Sequence, residues 1–188
     1  GVNEFVHAIQ VRSDGVYVGG DFTTAGVIEA NHVARWNGTS WNTLLSSTAI
    51  TNGVDDNVLV LTGDDTRLFM GGVFSSAGSN TANRIVEFSG GYWNSLGDSV
   101  SGSVYGIYTT ETSNYVYVGG ILTSAGGVSQ LRLARWDKTT HAWSEVGDGA
   151  DITGCSIICP PTVAEIVIDG IYIYIGGNFT SVGGMAAN

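Results

Sequence analysis

Apolar and polar positions along this chain alternate in short runs, not in long stripes. Stretches rich in Val, Ile, Tyr and Phe are broken by clusters of Gly, Asp, Ser and Asn, and no window keeps apolar side chains at helical spacing. The runs predict strands at Phe5 to Val11, Val58 to Thr62, Val104 to Thr109 and Val163 to Ile168. Each is followed by a second strand ending in a double glycine: Val16-Tyr17-Val18-Gly19-Gly20, Leu68-Phe69-Met70-Gly71-Gly72, Val116-Tyr117-Val118-Gly119-Gly120 and Tyr174-Ile175-Gly176-Gly177. A third run carries an aromatic near its end, in Val33-Ala34-Arg35-Trp36, Ile85-Val86-Glu87-Phe88 and Leu133-Ala134-Arg135-Trp136. A fourth short strand surrounds Trp41, Trp93 or Trp143. Turn chemistry separates them: Ser13-Asp14-Gly15, Asp64-Asp65-Thr66 and Asp169-Gly170 close the first hairpins, while Asn37-Gly38, Gly90-Gly91 and Asp137-Lys138 lead to the last strand.

The first glycines of successive pairs lie 52, 48 and 57 residues apart. Each pair is followed by an apolar residue and a small-residue stretch: Phe22-Thr23-Thr24-Ala25-Gly26, Phe74-Ser75-Ser76-Ala77-Gly78, Leu122-Thr123-Ser124-Ala125-Gly126 and Phe179-Thr180-Ser181-Val182-Gly183. A period near 50 built from four short strands predicts an all-β repeat protein, a β-propeller of four-stranded antiparallel blades. A parallel β-helix repeats at about half this period, a solenoid with so long a repeat needs helices, and a sandwich has no reason to repeat its sequence. Blades are expected over residues 4–45, 57–97 and 103–147, with a half blade over 162–188. Small residues at the end of the second strand are expected to let neighbouring backbones approach closely. The plain reading of the recurrent Gly19, Gly20, Gly71, Gly72, Gly119, Gly120, Gly176 and Gly177, and of Trp36, Trp41, Trp93, Trp136 and Trp143, is packing.

The order apolar strand, Gly-Gly, spaced aromatic, Trp resembles the kelch repeat. The longer wording Tyr17-Val18-Gly19-Gly20-Asp21-Phe22-Thr23-Thr24-Ala25-Gly26, followed by Ala34-Arg35-Trp36-Asn37-Gly38-Thr39-Ser40-Trp41, is similar to the kelch-like propeller repeat of large bacterial, viral and fungal surface proteins. The resemblance spans the chain in three full copies and one half copy, with Phe88 in place of Trp and Leu122 in place of Phe. It implies a propeller in an extracellular, cell-surface or virion-surface setting; three and a half blades doubled would make a ring of about seven. Most such propellers bind partners and a minority are enzymes. The expected function is therefore a non-catalytic propeller for adhesion, assembly or structural display. The alternative is a carbohydrate-active propeller, lectin or glycoside hydrolase. Some kelch-like propellers carry a copper-radical oxidase site, but the tyrosines here occupy repeated strand positions and read as packing.

Residues 1–4 lead straight into a strand, so no signal peptide is expected in this stretch. The last residues fall where other copies begin their third strand. The expectation is a fragment of a longer chain; a ring completed by a second copy is the other reading. A net charge of −10 argues against nucleic acid and anionic membrane as partners, and the longest apolar stretch, Ile166 to Ile175, is too short to span a bilayer. A protein or glycan, or neighbouring copies in an assembly, is the expected partner.

Cys155 and Cys159 lie in the longest insertion between repeats, ahead of Pro160-Pro161. A disulfide is the first reading, contributing ~2 kcal/mol for so short a loop. Free thiols come second, and a metal last, since a structural zinc wants four ligands. Neither a Gly-x-Ser-x-Gly elbow nor a His-Glu-x-x-His motif occurs, and the acidic spots lack calcium-loop spacing. No catalytic residue, cofactor or metal is expected. In a propeller the long second-to-third-strand loops and the inter-blade loops share one face, and long loops are where binding residues concentrate. On that face the candidate contacts are Glu29, His32, Asp55, Asp56, Arg84, Gln130, Asp148 and Asp151.

Overall fold

Each run that the pattern assigns to a strand pairs with its sequence neighbour, antiparallel and in up-and-down order. The computed structural model describes residues 1–45, 51–98, 100–129, 132–146, 152–153 and 161–187. It is all-β, with no helix among the described residues. Sheet I comprises Val6–Arg12, Gly15–Gly20, Val33–Trp36 and Trp41–Thr43. Sheet II comprises Val58–Gly63, Arg67–Gly72, Ile85–Ser89 and Tyr92–Ser95. Sheet III comprises Val104–Tyr108, Tyr115–Gly120, Leu133–Asp137 and Ala142–Glu145. Thr162–Asp169 and Tyr172–Asn178 form a two-stranded sheet IV. The chain divides into two compact units, Gly1–Leu96 with sheets I and II and Gly97–Asn188 with sheets III and IV.

The double glycines meet two separate demands. In every first hairpin the register slips at the same place: between Val6 and Ala8, Val58 and Val60, Val104 and Gly106, and Val163 and Glu165. This bulge bends the first strand over the end of the second. A Cβ on the second glycine would lie 2.0 Å from the Phe5 carbonyl oxygen at Gly20, 2.0 Å from that of Asn57 at Gly72, 2.0 Å from that of Ser103 at Gly120 and 2.1 Å from that of Thr162 at Gly177. Only hydrogen fits there. The first glycine instead seats the next sheet. A Cβ at Gly19 would come within 2.5 Å of Val58 Cγ1, and one at Gly119 within 2.5 Å of Val163 Cγ1.

The cores follow from this seating. In the first unit, Val58 and Leu61 of sheet II join Tyr17 and Val33 of sheet I in one buried cluster with Leu68, Met70, Phe74 and Trp93. Strand alternation turns Val18 away from Tyr17, into a second cluster with Phe22, Ala25, Ala30 and Ala34. In the second unit, Val163 and Ile166 of sheet IV gather with Leu133, and Tyr108 and Tyr117 pack against them.

The third and fourth strands of each full sheet are tied by one aromatic pair in register. Trp36 faces Trp41 with ring centroids 5.4 Å apart, Phe88 faces Trp93 at 4.7 Å and Trp136 faces Trp143 at 5.3 Å. The rings are tilted by 53° to 58°, a geometry worth about 0.5–1.5 kcal/mol per pair beyond burial. Phe88 thus holds the same place in sheet II that Trp36 and Trp136 hold in the other sheets.

Candidate functional site

The glycine-pair end of each sheet carries an element that the sequence reads only as a loop. After the pair comes a fully buried Phe22, Phe74 or Leu122. The chain then folds into a miniature hairpin, Thr24–Ala25 with Ile28–Glu29, Ser76–Ala77 with Asn80–Thr81, Ser124–Ala125 with Val128–Ser129, and Ser181–Val182 with Met185–Ala186. Its turn opens on a left-handed glycine: φ is 62° at Gly26, 55° at Gly78, 58° at Gly126 and 56° at Gly183.

The segment leading into each sheet lies across this hairpin. Val2 bridges to Ala25, Val54 to Ala77 and Thr153 to Ser181, while Val100–Ser101 pairs with Ser124–Ala125 as a third strand. A polar side chain on that segment then clamps the loop. Asn3 Oδ1 accepts the Thr23 and Thr24 N–H groups at 3.0 and 2.9 Å. Asp55 Oδ1 accepts those of Ser75 and Ser76, each at 2.8 Å, and its Oδ2 accepts the Ser75 hydroxyl at 2.6 Å. Ser101 Oγ meets the Thr123 and Ser124 hydroxyls, and Thr153 Oγ1 lies 2.6 Å from Ser181 Oγ.

Burial alone would raise the Asp55 carboxyl, but the Ser75 hydroxyl and the Ser75 and Ser76 amides outweigh it and hold it below the ordinary carboxylate range. A carboxyl depressed in the folded state contributes stability that is present above about pH 4, its unfolded value, and lost as pH falls through the lower folded value. Asp55→Asn keeps an acceptor, as Asn3 does in the first repeat. It is expected to change stability at pH 7 by less than about 0.5 kcal/mol, and to flatten the loss of stability between neutral pH and acid. Asp55→Ala removes the clamp and is expected to cost about 1 kcal/mol, since each net hydrogen bond is modest and this site is open to solvent. Urea unfolding at pH 7 and pH 3 separates the two variants.

A second repeated device follows the hairpin. His32, Arg84 and Arg132 stand immediately before the third strands with φ of 62°, 67° and 71°, a conformation uncommon for residues with a Cβ. Their N–H groups donate to Phe22, Phe74 and Leu122 oxygens at 2.9, 2.9 and 3.4 Å, and their carbonyls accept from Gly20, Gly72 and Gly120 at 3.0, 3.0 and 3.1 Å. The side chains turn back onto the same stretch. Arg84 donates to the Val73 and Phe74 oxygens, Arg132 to the Leu122 oxygen at 3.3 Å, and His32 Nδ1 lies 3.2 Å from the Gly20 oxygen.

The sequence-derived contacts therefore divide. His32, Asp55 and Arg84 are bonded to the loops they were expected to decorate. Asp56 is exposed and caps its neighbour, its Oδ1 accepting the Asn57 N–H at 2.7 Å. Glu29 sits exposed on its miniature hairpin, and its backbone carbonyl accepts from Asn52 Nδ2 at 3.4 Å. Gln130, Asp148 and Asp151 lie outside the described residues, as do Cys155 and Cys159. Among the described residues Arg12 and Arg35 pair with Asp14 at the opposite end of sheet I, and His7 Nε2 lies 2.7 Å from Oδ1 of Asp21, the residue after the first glycine pair. No three His, Cys, Asp or Glu side chains gather as a metal site among the described residues.

The sequence reading missed a charged cluster at the short-turn end of sheet I. Asp14 Oδ2 accepts the Tyr17 hydroxyl at 2.7 Å and Arg35 Nη1 at 2.8 Å, with the Arg12 guanidinium 4.9 Å above the Tyr17 ring. Burial opposes ionisation of Asp14, yet these donors hold its carboxyl low; burial and the Asp14 carboxylate push the Tyr17 hydroxyl up. Only the Asp14 turn signal was visible beforehand, because Arg35 and Tyr17 meet it through strand register. No protein-family model matches the chain, and no curated protein is significantly similar to it.

Proposed function

We propose that this chain is a sector of a kelch-like β-propeller that works as a non-catalytic surface scaffold, extracellular, cell-bound or on a virion, for adhesion, assembly or display. The radial reading draws on four-stranded meanders of one design and on the recurring contact in which a first-strand valine seats on the preceding sheet's glycine, as Val58 does on Gly19 and Val163 on Gly119. One observation carries the functional half: the polar side chains that recur at the loop end are spent on the loops. Asn3, Asp55, Ser101 and Thr153 clamp the miniature hairpins, and His32, Arg84 and Arg132 bind the carbonyls after the glycine pair or that of its second glycine. Asp55 takes three donors from its own hairpin and Arg84 donates to two carbonyls of its own loop, so both are supported as fasteners of the scaffold.

Electron cryomicroscopy of the intact polypeptide is expected to show a ring of blades around a central channel. A glycan array and a hydrolysis screen on the same material are expected to be negative. Sheets stacked in an open row would remove the propeller. Glycan binding or turnover abolished by substitutions at Glu29 or Asp56 would replace the scaffold with a carbohydrate-active protein.

A further inference from the structure

Asn-Gly, the dipeptide in which a side-chain amide is least shielded from the next backbone nitrogen, occurs twice in the chain, at Asn37-Gly38 and Asn52-Gly53. The fold treats the two in opposite ways. Asn37 opens the turn between the third and fourth strands of sheet I, and residues 37–40 are all exposed. Its Oδ1 accepts the Thr39 and Ser40 N–H groups at 3.0 and 2.9 Å and the Thr39 hydroxyl at 2.9 Å. Among the described residues, neither Asn37 Nδ2 nor the Gly38 N–H has a hydrogen-bond partner. A Cβ on Gly38 would meet nothing within 4 Å. Asn52 is half-buried and bonded at both ends of its amide: Oδ1 accepts the Asn31 N–H at 3.0 Å and Nδ2 donates to the Glu29 oxygen at 3.4 Å. Gly53 is buried, its N–H donates to the Leu44 oxygen at 3.3 Å, and a Cβ on it would lie 2.0 Å from the Asn31 oxygen. The openness of the Asn37 turn is not owed to its place in the first sheet, since Gly90, Thr139 and Thr140 are exposed in the matching turns of sheets II and III.

We propose that Asn37 is a site of spontaneous deamidation in the folded chain and that Asn52 is spared. The Gly38 nitrogen attacks Asn37 Cγ; the N–Cγ bond forms, the Cγ–Nδ2 bond breaks, and ammonia leaves carrying the Gly38 amide proton. Water then opens the resulting succinimide at either carbonyl, giving aspartate or isoaspartate. Nucleophile and leaving group are the two groups that the turn leaves unbonded. The donors on Oδ1 face the atom where negative charge builds as Cγ is attacked, the arrangement that lowers such barriers. At Asn52 both the leaving amide and the attacking N–H are engaged, and Gly53 has no room to turn. Sheet III already carries the aspartate product. Asp137 holds the matching position, and its Oδ1 accepts the Thr139 and Thr140 N–H groups at 2.7 and 3.0 Å. The Thr140 and Thr139 amides hold that carboxyl below the ordinary carboxylate range. Aspartate at position 37 therefore fits the turn. Isoaspartate lengthens the backbone by a methylene between Trp36 and Trp41 and disturbs their register.

Peptide mapping by mass spectrometry tests this, over a time course in mildly alkaline buffer with the 188-residue chain folded or held in urea. Chymotrypsin separates the two dipeptides, since Trp41 and Leu44 lie between them. In the folded chain the Asn37 peptide is expected to gain about 1 Da and to split into two products, one of them labelled by an isoaspartate-specific methyltransferase. The Asn52 peptide is expected to convert at least about tenfold more slowly, because the bonds on Nδ2 and on the Gly53 N–H must open first. In urea the two are expected to convert at similar rates, which assigns the difference to the fold. An Asn37 peptide that stays intact in the folded chain would overturn the proposal. So would an Asn52 peptide that keeps pace with it there, or a difference in rate that persists unchanged in urea.

Discussion

Gly72→Ala is expected to lower stability by about 3 kcal/mol or more, while Gly176→Ala changes it by less than about 0.5 kcal/mol. Both positions belong to the same repeated pair motif, and helix or strand propensity treats them alike. The difference lies in what a methyl group meets. At Gly72 it would sit 2.0 Å from the Asn57 carbonyl oxygen and 3.2 Å from Val58 Cα. Those are backbone atoms of a strand whose position is fixed by the bulge and by the buried Val58. Relief requires the whole first strand to move, which unseats Val58 from Gly19. At Gly176 the nearest atom is a side-chain carbon at ordinary contact distance, 3.7 Å. Urea unfolding followed by tryptophan fluorescence reads the difference as a shift in midpoint at unchanged slope. A Gly72→Ala chain within about 1 kcal/mol of wild type would show that the bulge yields easily.

Phe74→Ala is the second large effect, about 3–5 kcal/mol. The ring is fully buried and lies in one cluster with Leu68, Met70, Ala77 and Val86. It is held there because both flanking features are anchored: Gly72 accepts no side chain, and Arg84 bonds the Phe74 carbonyl. Truncation leaves a cavity that these constraints keep from collapsing. Phe74→Leu is expected to cost less, about 1–1.5 kcal/mol, because Leu122 fills the equivalent position in sheet III without exposure. Thermal midpoints of the two variants test the ranking; equal losses would mean that the site reads ring chemistry instead of volume.

Strand positions were legible in the sequence because β-branched and aromatic runs ending in Gly-Gly state both the element and its end. The equivalence of Phe88 with Trp36 and Trp136 was legible for the same reason, since an aromatic at a fixed register position packs against the next strand's tryptophan. The miniature hairpins were hidden because arms of two residues are too short for alternation to show. The clamp was hidden more thoroughly. Asn3, Asp55, Ser101 and Thr153 share only an oxygen acceptor, so four residue types perform one task. Asp55, His32 and Arg84 drew attention as charged or ionisable loop residues, the usual marks of a binding face. The backbone conformation that binds His32 and Arg84 into their loops leaves no mark in residue identity, since most residues with φ above zero are glycine.

The clamp also changes what counts as a heritable block in this chain. The residues that fasten a hairpin come from the stretch just ahead of its own sheet: Val54 and Asp55 hold the Ser76–Ala77 hairpin, and Val100 and Ser101 hold the Ser124–Ala125 hairpin. A segment copied from the start of one such stretch to the start of the next therefore carries its own fastening. Gene duplication can add or delete that segment together with its hairpin's fastening. Selection then has to preserve the surfaces where consecutive copies touch, among them Val58 on Gly19, Asn52 on Asn31 and Asp65 on Ser13.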